Sequence, residues 1–441
     1  MLITDLRAKG AEIVNSTAAA DRRDLRSALP LWADPVELDE INLDYAATTP
    51  ALVAAVDAVQ AAIPWYGSLH RGGGRKSAYS TTLFEESRCS VARFVGCDNA
   101  DDVVFVRNTT EAANLLAVAL PPGTRVLCSS FEHHANLLPW RQHRVTHLPF
   151  TPTAAAFLAA AADALDQAER AGDPFSLVAI TGASNVTGEV PPVTEVARLA
   201  HAQGALVFVD AAQLAPHRRI DLHELEADFL AFSGHKVYAP FGTGVLVSPA
   251  DGLANGSPLL HGGGAVRIVT LEGVAWAETP RRYEAGTPNL LGAVALGAAC
   301  NALTSYGMDV VAEQERLLAG VLWDGLDAIG GVTQLHQWTD APDRVGVAAF
   351  TAAGWTAHEL GTHLAERGIA VRAGSFCAHP FVAHLLGVED AETARLLHEA
   401  ECGEDVTIPG AVRASVGLGT TRAEIDAFLA AIAEAEALSP A

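Results

Sequence analysis

Ala227-Asp228-Phe229-Leu230-Ala231-Phe232-Ser233-Gly234-His235-Lys236 runs a short apolar strand-like segment into a serine, a glycine, a histidine and a lysine. The chain has only three lysines, Lys9, Lys76 and Lys236, among its 441 residues. A lysine amine at the end of a buried strand is well placed to form a Schiff base with an aldehyde cofactor. Upstream, a second apolar run, Ala205-Leu206-Val207-Phe208-Val209, ends in Asp210, with Gln213 three residues on. Pyridoxal phosphate needs that pairing, because a pyridinium drains electron density from a carbanion only while a nearby carboxylate keeps its nitrogen protonated. Lys76 is the rival amine; it follows Arg71-Gly72-Gly73-Gly74-Arg75 with no strand before it and reads as a surface or cofactor-proximal loop.

Working outward, strand-like and helix-like segments alternate from Ile41 to about residue 300, as in a doubly wound α/β domain. Val103–Val106, Arg125–Ser129, Leu177–Thr181, Ala205–Val209, Phe229–Phe232 and Gly244–Val247 are short and apolar enough for a buried parallel sheet. Glu111–Ala119 reads as a helix after the first, and Val193–Gln203 as another that stops at Gly204. Residues 1–40 are expected to form an arm packed on a smaller domain, with Pro30 and Pro35 breaking it before a large domain over 41–300. A small α+β domain over 301–441 is expected to open with one long helix through Leu322. Its last element starts at the capping box Thr421-Arg422-Ala423-Glu424, before Ile425, Phe428, Leu429 and Ile432. The alanine-rich stretch 154–162 reads as solvent-facing helix.

Half of the residues are apolar, enough for one large core and a smaller one, yet no run of 18 apolar residues occurs and the first residues lack a signal-peptide pattern. A cytoplasmic protein is expected. Six cysteines without a CxxC spacing indicate neither a disulfide framework nor a zinc site. A formal charge of −23 disfavours nucleic acid and anionic membranes as partners.

Two further segments carry chemistry. Arg107-Asn108-Thr109-Thr110-Glu111 places hydroxyls and backbone N–H groups at a strand-to-helix turn, where a phosphate fits; an ordinary threonine cap is the plainer reading. Phe131-Glu132-His133-His134-Ala135-Asn136 follows a strand and offers an imidazole to stack on a pyridine ring.

Together these segments resemble the class V aminotransferase family of fold type I, and within it the SUF-type cysteine desulfurases and selenocysteine lyases. The resemblance runs from Leu43-Asp44-Tyr45-Ala46-Ala47 to the C-terminus through His70-Arg71-Gly72, Arg107–Asn114, Glu132–Trp140, Ser184–Gly188, Val209–Gln213, Ser233–Pro240, Gly262–Gly264, Glu284–Asn289 and Val371–Pro380. It implies Lys236 as the Schiff-base lysine, Asp210 as the pyridinium partner and His133 as the stacking ring. Gln213 and Asn185 would neighbour the phenolic oxygen and the substrate. Thr109, Thr110, Ser233 and His235 would surround the phosphate, joined by Thr287 from the other subunit of a homodimer. Arg413 would grip the substrate carboxylate, with Arg372 nearby.

Cys377 separates two functions. In a desulfurase its thiolate takes sulfur from L-cysteine as a persulfide, leaving L-alanine and passing the sulfur to an acceptor protein. Arg372-Ala373-Gly374-Ser375-Phe376-Cys377-Ala378-His379-Pro380 keeps the arginine-to-cysteine spacing but has Ser375 and Phe376 where SUF-type enzymes have histidines. The alternative is a class V C–S lyase, epimerase or aminotransferase in which Cys377 is a bystander. The acceptor, and the choice of sulfur over selenium, are not written in these motifs.

Overall fold

The computed structural model describes residues 25–32, 40–248, 252–253, 256–340 and 343–438. Most of the expected arm therefore lies outside the described residues. Of its described part, Leu31 bridges Leu52, and Trp32 N–H donates to Ala51 O (2.7 Å).

A first short strand, β1 (Ile41–Asn42), leads into a seven-stranded sheet made of β2 (Val103–Val106), β3 (Arg125–Ser129), β4 (Arg144–Leu148), β5 (Leu177–Thr181), β6 (Leu206–Asp210), β7 (Phe229–Ser233) and β8 (Gly244–Val247). Their order is β2-β8-β7-β6-β5-β3-β4. Five neighbours, β7 to β4, run parallel, while β8 is antiparallel to both β7 and β2. The expected parallel sheet is thus mixed at one edge. Strands β5, β7 and β8 are buried along their whole length and β3 and β6 in all but their first residue, as apolar text requires of a sheet covered on both faces. One strand escaped the sequence reading: β4 is an edge strand whose residues are mostly exposed, so Arg144 and His147 give it no apolar periodicity.

Helices cover both faces. Thr109–Ala119 packs on one side with Trp140 and Phe208; Arg75–Phe94, Val193–Ala202 and Leu290–Tyr306 cover the other. Lys76 sits in the exposed first turn of Arg75–Phe94, not in a loop. The alanine-rich helix Ala154–Arg170 is amphipathic, with Phe157, Ala161, Leu165 and Ala168 buried, which corrects the solvent-facing expectation. A hairpin of β9 (Val266–Val269) and β10 (Val274–Trp276) stands out from the body with Ile268, Val269 and Leu271 exposed.

The expected single long helix is two, Leu290–Tyr306 and Met308–Asp327, bent by 80° at Gly307. Gly307 has φ +102°, a conformation that ends a helix at no steric cost only for glycine. Among the described residues no single helix is long and apolar enough to cross a membrane.

Beyond this bend lies a second core. Strands β11 (Val332–Gln334), β12 (Val347–Ala352), β13 (Ile369–Ala370), β14 (Arg372–Gly374) and β15 (Ala411–Ser415) follow; all but β13 form an antiparallel sheet in the order β11-β12-β15-β14. Leu322, Phe350, Leu364, Phe428 and Ile432 fill the space between it and its helices. The last helix, Arg422–Leu438, starts at the expected capping box: Thr421 N–H donates to Glu424 Oε2 (2.6 Å), and Glu424 N–H to Thr421 Oγ1 (3.3 Å). Strand β1 pairs in parallel with β13, and Asp44 bridges Ser415 of β15, which ties residues 41–44 to this second sheet.

Candidate active site

Lys236 and Asp210 meet because they end neighbouring parallel strands. Asp210 is the last residue of β6 and pairs with Ala231 of β7; Lys236 closes the single 3-10 turn directly after β7. Open α/β sheets form their crevices at this carboxyl edge. Gly234 makes the turn possible, since a Cβ there would lie 2.5 Å from Thr243 O. A cavity of about 320 Å³ opens at that edge, and Lys236, Asp210, Gln213, Asn185, His133, Arg372, Arg413 and Cys377 all line it.

Asp210 is buried, its Oδ1 accepting Ala212 N–H (2.9 Å); burial raises its pKa, against the pull of that N–H and of Lys236. Burial also pushes the Lys236 amine down to about 8, with Asp210 opposing and Arg413 reinforcing the shift. His133 is pushed down to about 3, first by burial and then by Lys236. It is therefore neutral at physiological pH, and since its Nδ1 accepts Ala135 N–H (3.0 Å), the proton resides on Nε2. Gln213 Nε2 donates to Ala46 O (2.7 Å) and leaves its buried Oε1 without a partner.

At the other end of the cavity the helix Thr109–Ala119 begins. Its cap is Asn108, whose side chain accepts Glu111 N–H (3.0 Å), so the threonines are released from the capping task the sequence suggested. Thr109 Oγ1 turns inward to Ser233 Oγ (2.8 Å), while Thr110 is exposed on the cavity wall beside His235. His235 Nδ1 lies 3.2 Å from Thr48 Oγ1. These hydroxyls at a helix N-terminus are donors an anion can use. Thr287 is not among them: it lines a separate cleft with Ser68, His70, Arg71 and Gly264.

The cysteine loop crosses the cavity mouth. Phe376 (φ 52°) and Cys377 (φ 54°) are consecutive non-glycine residues in the left-handed region, a conformation costing on the order of 1 kcal/mol each. Tertiary bonds hold it: Asn185 Nδ2 donates to Phe376 O (2.7 Å), His134 N–H to Cys377 O (2.7 Å) and Ser375 Oγ to Pro409 O (2.8 Å). Cys377 is exposed. Phe376 lies instead over the Arg413 guanidinium, 5.1 Å from ring centre to Cζ. Two histidines pack together beside this loop. His379 N–H donates to His134 Nε2 (3.2 Å), and the two rings meet edge to face at 4.5 Å.

The residues 41–428 match the aminotransferase class-V family. The chain belongs to that family. Class V relatives with similar sequences include a probable cysteine desulfurase of Halobacterium salinarum, 36% identical over 90% of this chain and 92% of its own length, and a cysteine desulfurase of Dickeya dadantii, 36% identical over 83% and 84%. Solved class V structures agree. The apo cysteine desulfurase of Thermococcus onnurineus NA1 superposes with a TM-score of 0.81 at 30% identity, covering 95% of this chain and 99% of its own. The S-sulfonic acid form of the cysteine desulfurase CsdA of Escherichia coli gives 0.79 at 30% identity, covering 96% and 100%.

Sequence reading passed over two residues of this class V site. Asp44 bridges both arginines, from Oδ2 to Arg372 Nη2 (2.6 Å) and from Oδ1 to Arg413 Nη2 (3.2 Å); no local pattern could link residues so far apart in the chain. Glu132 is fully buried under the cavity floor, accepting Thr181 N–H (2.8 Å) and Asn136 Nδ2 (2.7 Å) and bonded to Ser129 Oγ. Burial and nearby Asp210 push its pKa up to about 8, so it is protonated at neutral pH. Its folded-state pKa lies above the unfolded value, so stability is fully present below pH 4.5 and is lost as pH rises through about 8. Glu132→Gln, an uncharged isostere, should escape that loss: its thermal midpoint should fall less than the wild type's between pH 6 and pH 9. Parallel melting curves would show instead that Glu132 does not titrate there.

Proposed function

We propose that this chain is a pyridoxal phosphate-dependent cysteine desulfurase that converts L-cysteine to L-alanine and leaves sulfane sulfur on Cys377 for transfer to an acceptor. The observation that carries it is one cavity lined by Lys236, Asp210, an arginine pair and an exposed cysteine, in a chain whose relatives are cysteine desulfurases.

The residues fit the cofactor: the buried Gln213 Oε1 faces no partner of the chain's own, and the Thr110 end of the cavity offers donors to a phosphate. Lys236 would supply the amine for the aldehyde, Asp210 would hold a proton at the ring nitrogen, His133 would cover the ring, and Thr109, Thr110, Ser233 and His235 would surround the phosphate. Bound there, the cofactor supplies an electron sink for the substrate α-carbon. Arg413 and Arg372 bind the carboxylate, orienting the substrate's sulfur toward the loop. Cys377 Sγ attacks that sulfur; the S–S bond forms as the C–S bond breaks, and the β-carbon takes up a proton to leave L-alanine. The strained, tethered loop keeps the thiol at the cavity mouth, where an acceptor can reach it.

A homodimer is part of this reading. Thr287 lies away from its own chain's cavity, as expected of a residue serving the partner's phosphate, and the exposed apolar hairpin offers an interface. A cytoplasmic setting suits six free thiols. The test is a product assay: with L-cysteine and a thiol reductant, alanine and sulfide should appear in equal amounts. Sulfide accompanied by pyruvate and no alanine would identify a C–S lyase instead.

A further inference from the structure

Arg372 and Arg413 stand directly opposite each other on antiparallel β14 and β15. Like charges so placed repel, and the Asp44 carboxylate compensates them by accepting from both. Its position is fixed from two sides: Asp44 bridges Ser415 beside β15, and its N–H donates to Asn42 Oδ1 (2.9 Å). Arg413 is 3% exposed; Nη1 donates to Asn185 O (2.9 Å) and Nη2 to Asp44 Oδ1 (3.2 Å), which leaves one further N–H on each and a buried Nε without a partner. A carboxylate entering the cavity therefore meets two guanidinium groups whose positive charge the Asp44 carboxylate already partly offsets.

We propose that Asp44 is a positioning residue that sets the affinity of the site for carboxylates: it keeps the two arginines together and, by offsetting part of their charge, weakens their hold on an amino-acid carboxylate. This rests on Arg413 being the carboxylate anchor. The internal carboxylate weakens binding and speeds release of an amino-acid product, while the paired arginines stay oriented.

The test compares L-alanine with ethylamine, which lacks the carboxylate, by the absorbance change each produces on the cofactor-loaded enzyme. Asp44→Asn should tighten L-alanine roughly fivefold, the size of a partly exposed ion pair, and leave ethylamine unchanged. On the cofactor-free protein, acetate should raise the thermal midpoint of Asp44→Asn more than that of the wild type. If the asparagine variant does not fold, Asp44→Ser carries the same comparison. Unchanged or weaker L-alanine binding overturns the proposal; if Arg413→Gln then still weakens L-alanine and spares ethylamine, the anchor reading survives alone. If Arg413→Gln affects both ligands alike, the anchor reading falls and this proposal with it.

Discussion

Cys377→Ala is expected to bind L-cysteine as the wild type does and to release alanine and sulfide at least a hundredfold more slowly, a loss of about 3 kcal/mol of transition-state stabilisation. Binding survives because Lys236, Asp210 and the arginine pair are untouched, and the chemical step fails because no other exposed thiol lines the cavity. The fold should survive too: Cys377 is exposed, and an alanine meets the same left-handed backbone with no larger side chain to place. In the wild type, L-cysteine should add one sulfur atom to the peptide containing Cys377, and a thiol reductant should remove it. Undiminished turnover by the alanine variant, or a wild type that never carries the extra sulfur, would transfer the chain to the lyase, epimerase or aminotransferase alternative.

Lys236→Ala should lose the borohydride-fixable link to the cofactor and retain less than about a thousandth of wild-type activity. The attacking species is the neutral amine, and with its pKa pushed down to about 8 roughly a tenth of Lys236 is neutral at pH 7. Cofactor loading of the wild-type protein should therefore quicken about tenfold per pH unit below 8 and level off above it, where an ordinary lysine would still be climbing. Stopped-flow absorbance reads the rate, and peptide mapping after reduction reads the residue. Recovery of the reduced cofactor on Lys76, exposed in the first turn of its helix, would refute the assignment.

The two ends of the site were not equally legible. Asp210 ends a strand and Lys236, His133 and Thr110 each follow one within a few residues, and in a parallel sheet such positions gather at one edge, so local text was sufficient to collect them. The arginine end depends on a register. Arg372 faces Arg413 only because β14 pairs with β15, and Asp44 reaches both because it bridges Ser415 at the end of β15. Phe376 directly precedes Cys377 in the chain, yet the left-handed turn at 376–377 sends it onto Arg413 and leaves Cys377 exposed.

By itself the sequence determined which segments are buried strands, because a strand covered on both faces must be nearly apolar throughout, and where the last helix begins at Thr421, because its cap bonds within one turn. Tertiary structure alone decided the antiparallel direction of β8, the edge strand β4, the union of Asp44 with two arginines and the separation of Thr287 from the cavity of its own chain. Hydrophobic periodicity and capping report interactions spanning a few residues, whereas strand direction and charge pairing across 328 residues depend on free energy gained only when the sheets assemble.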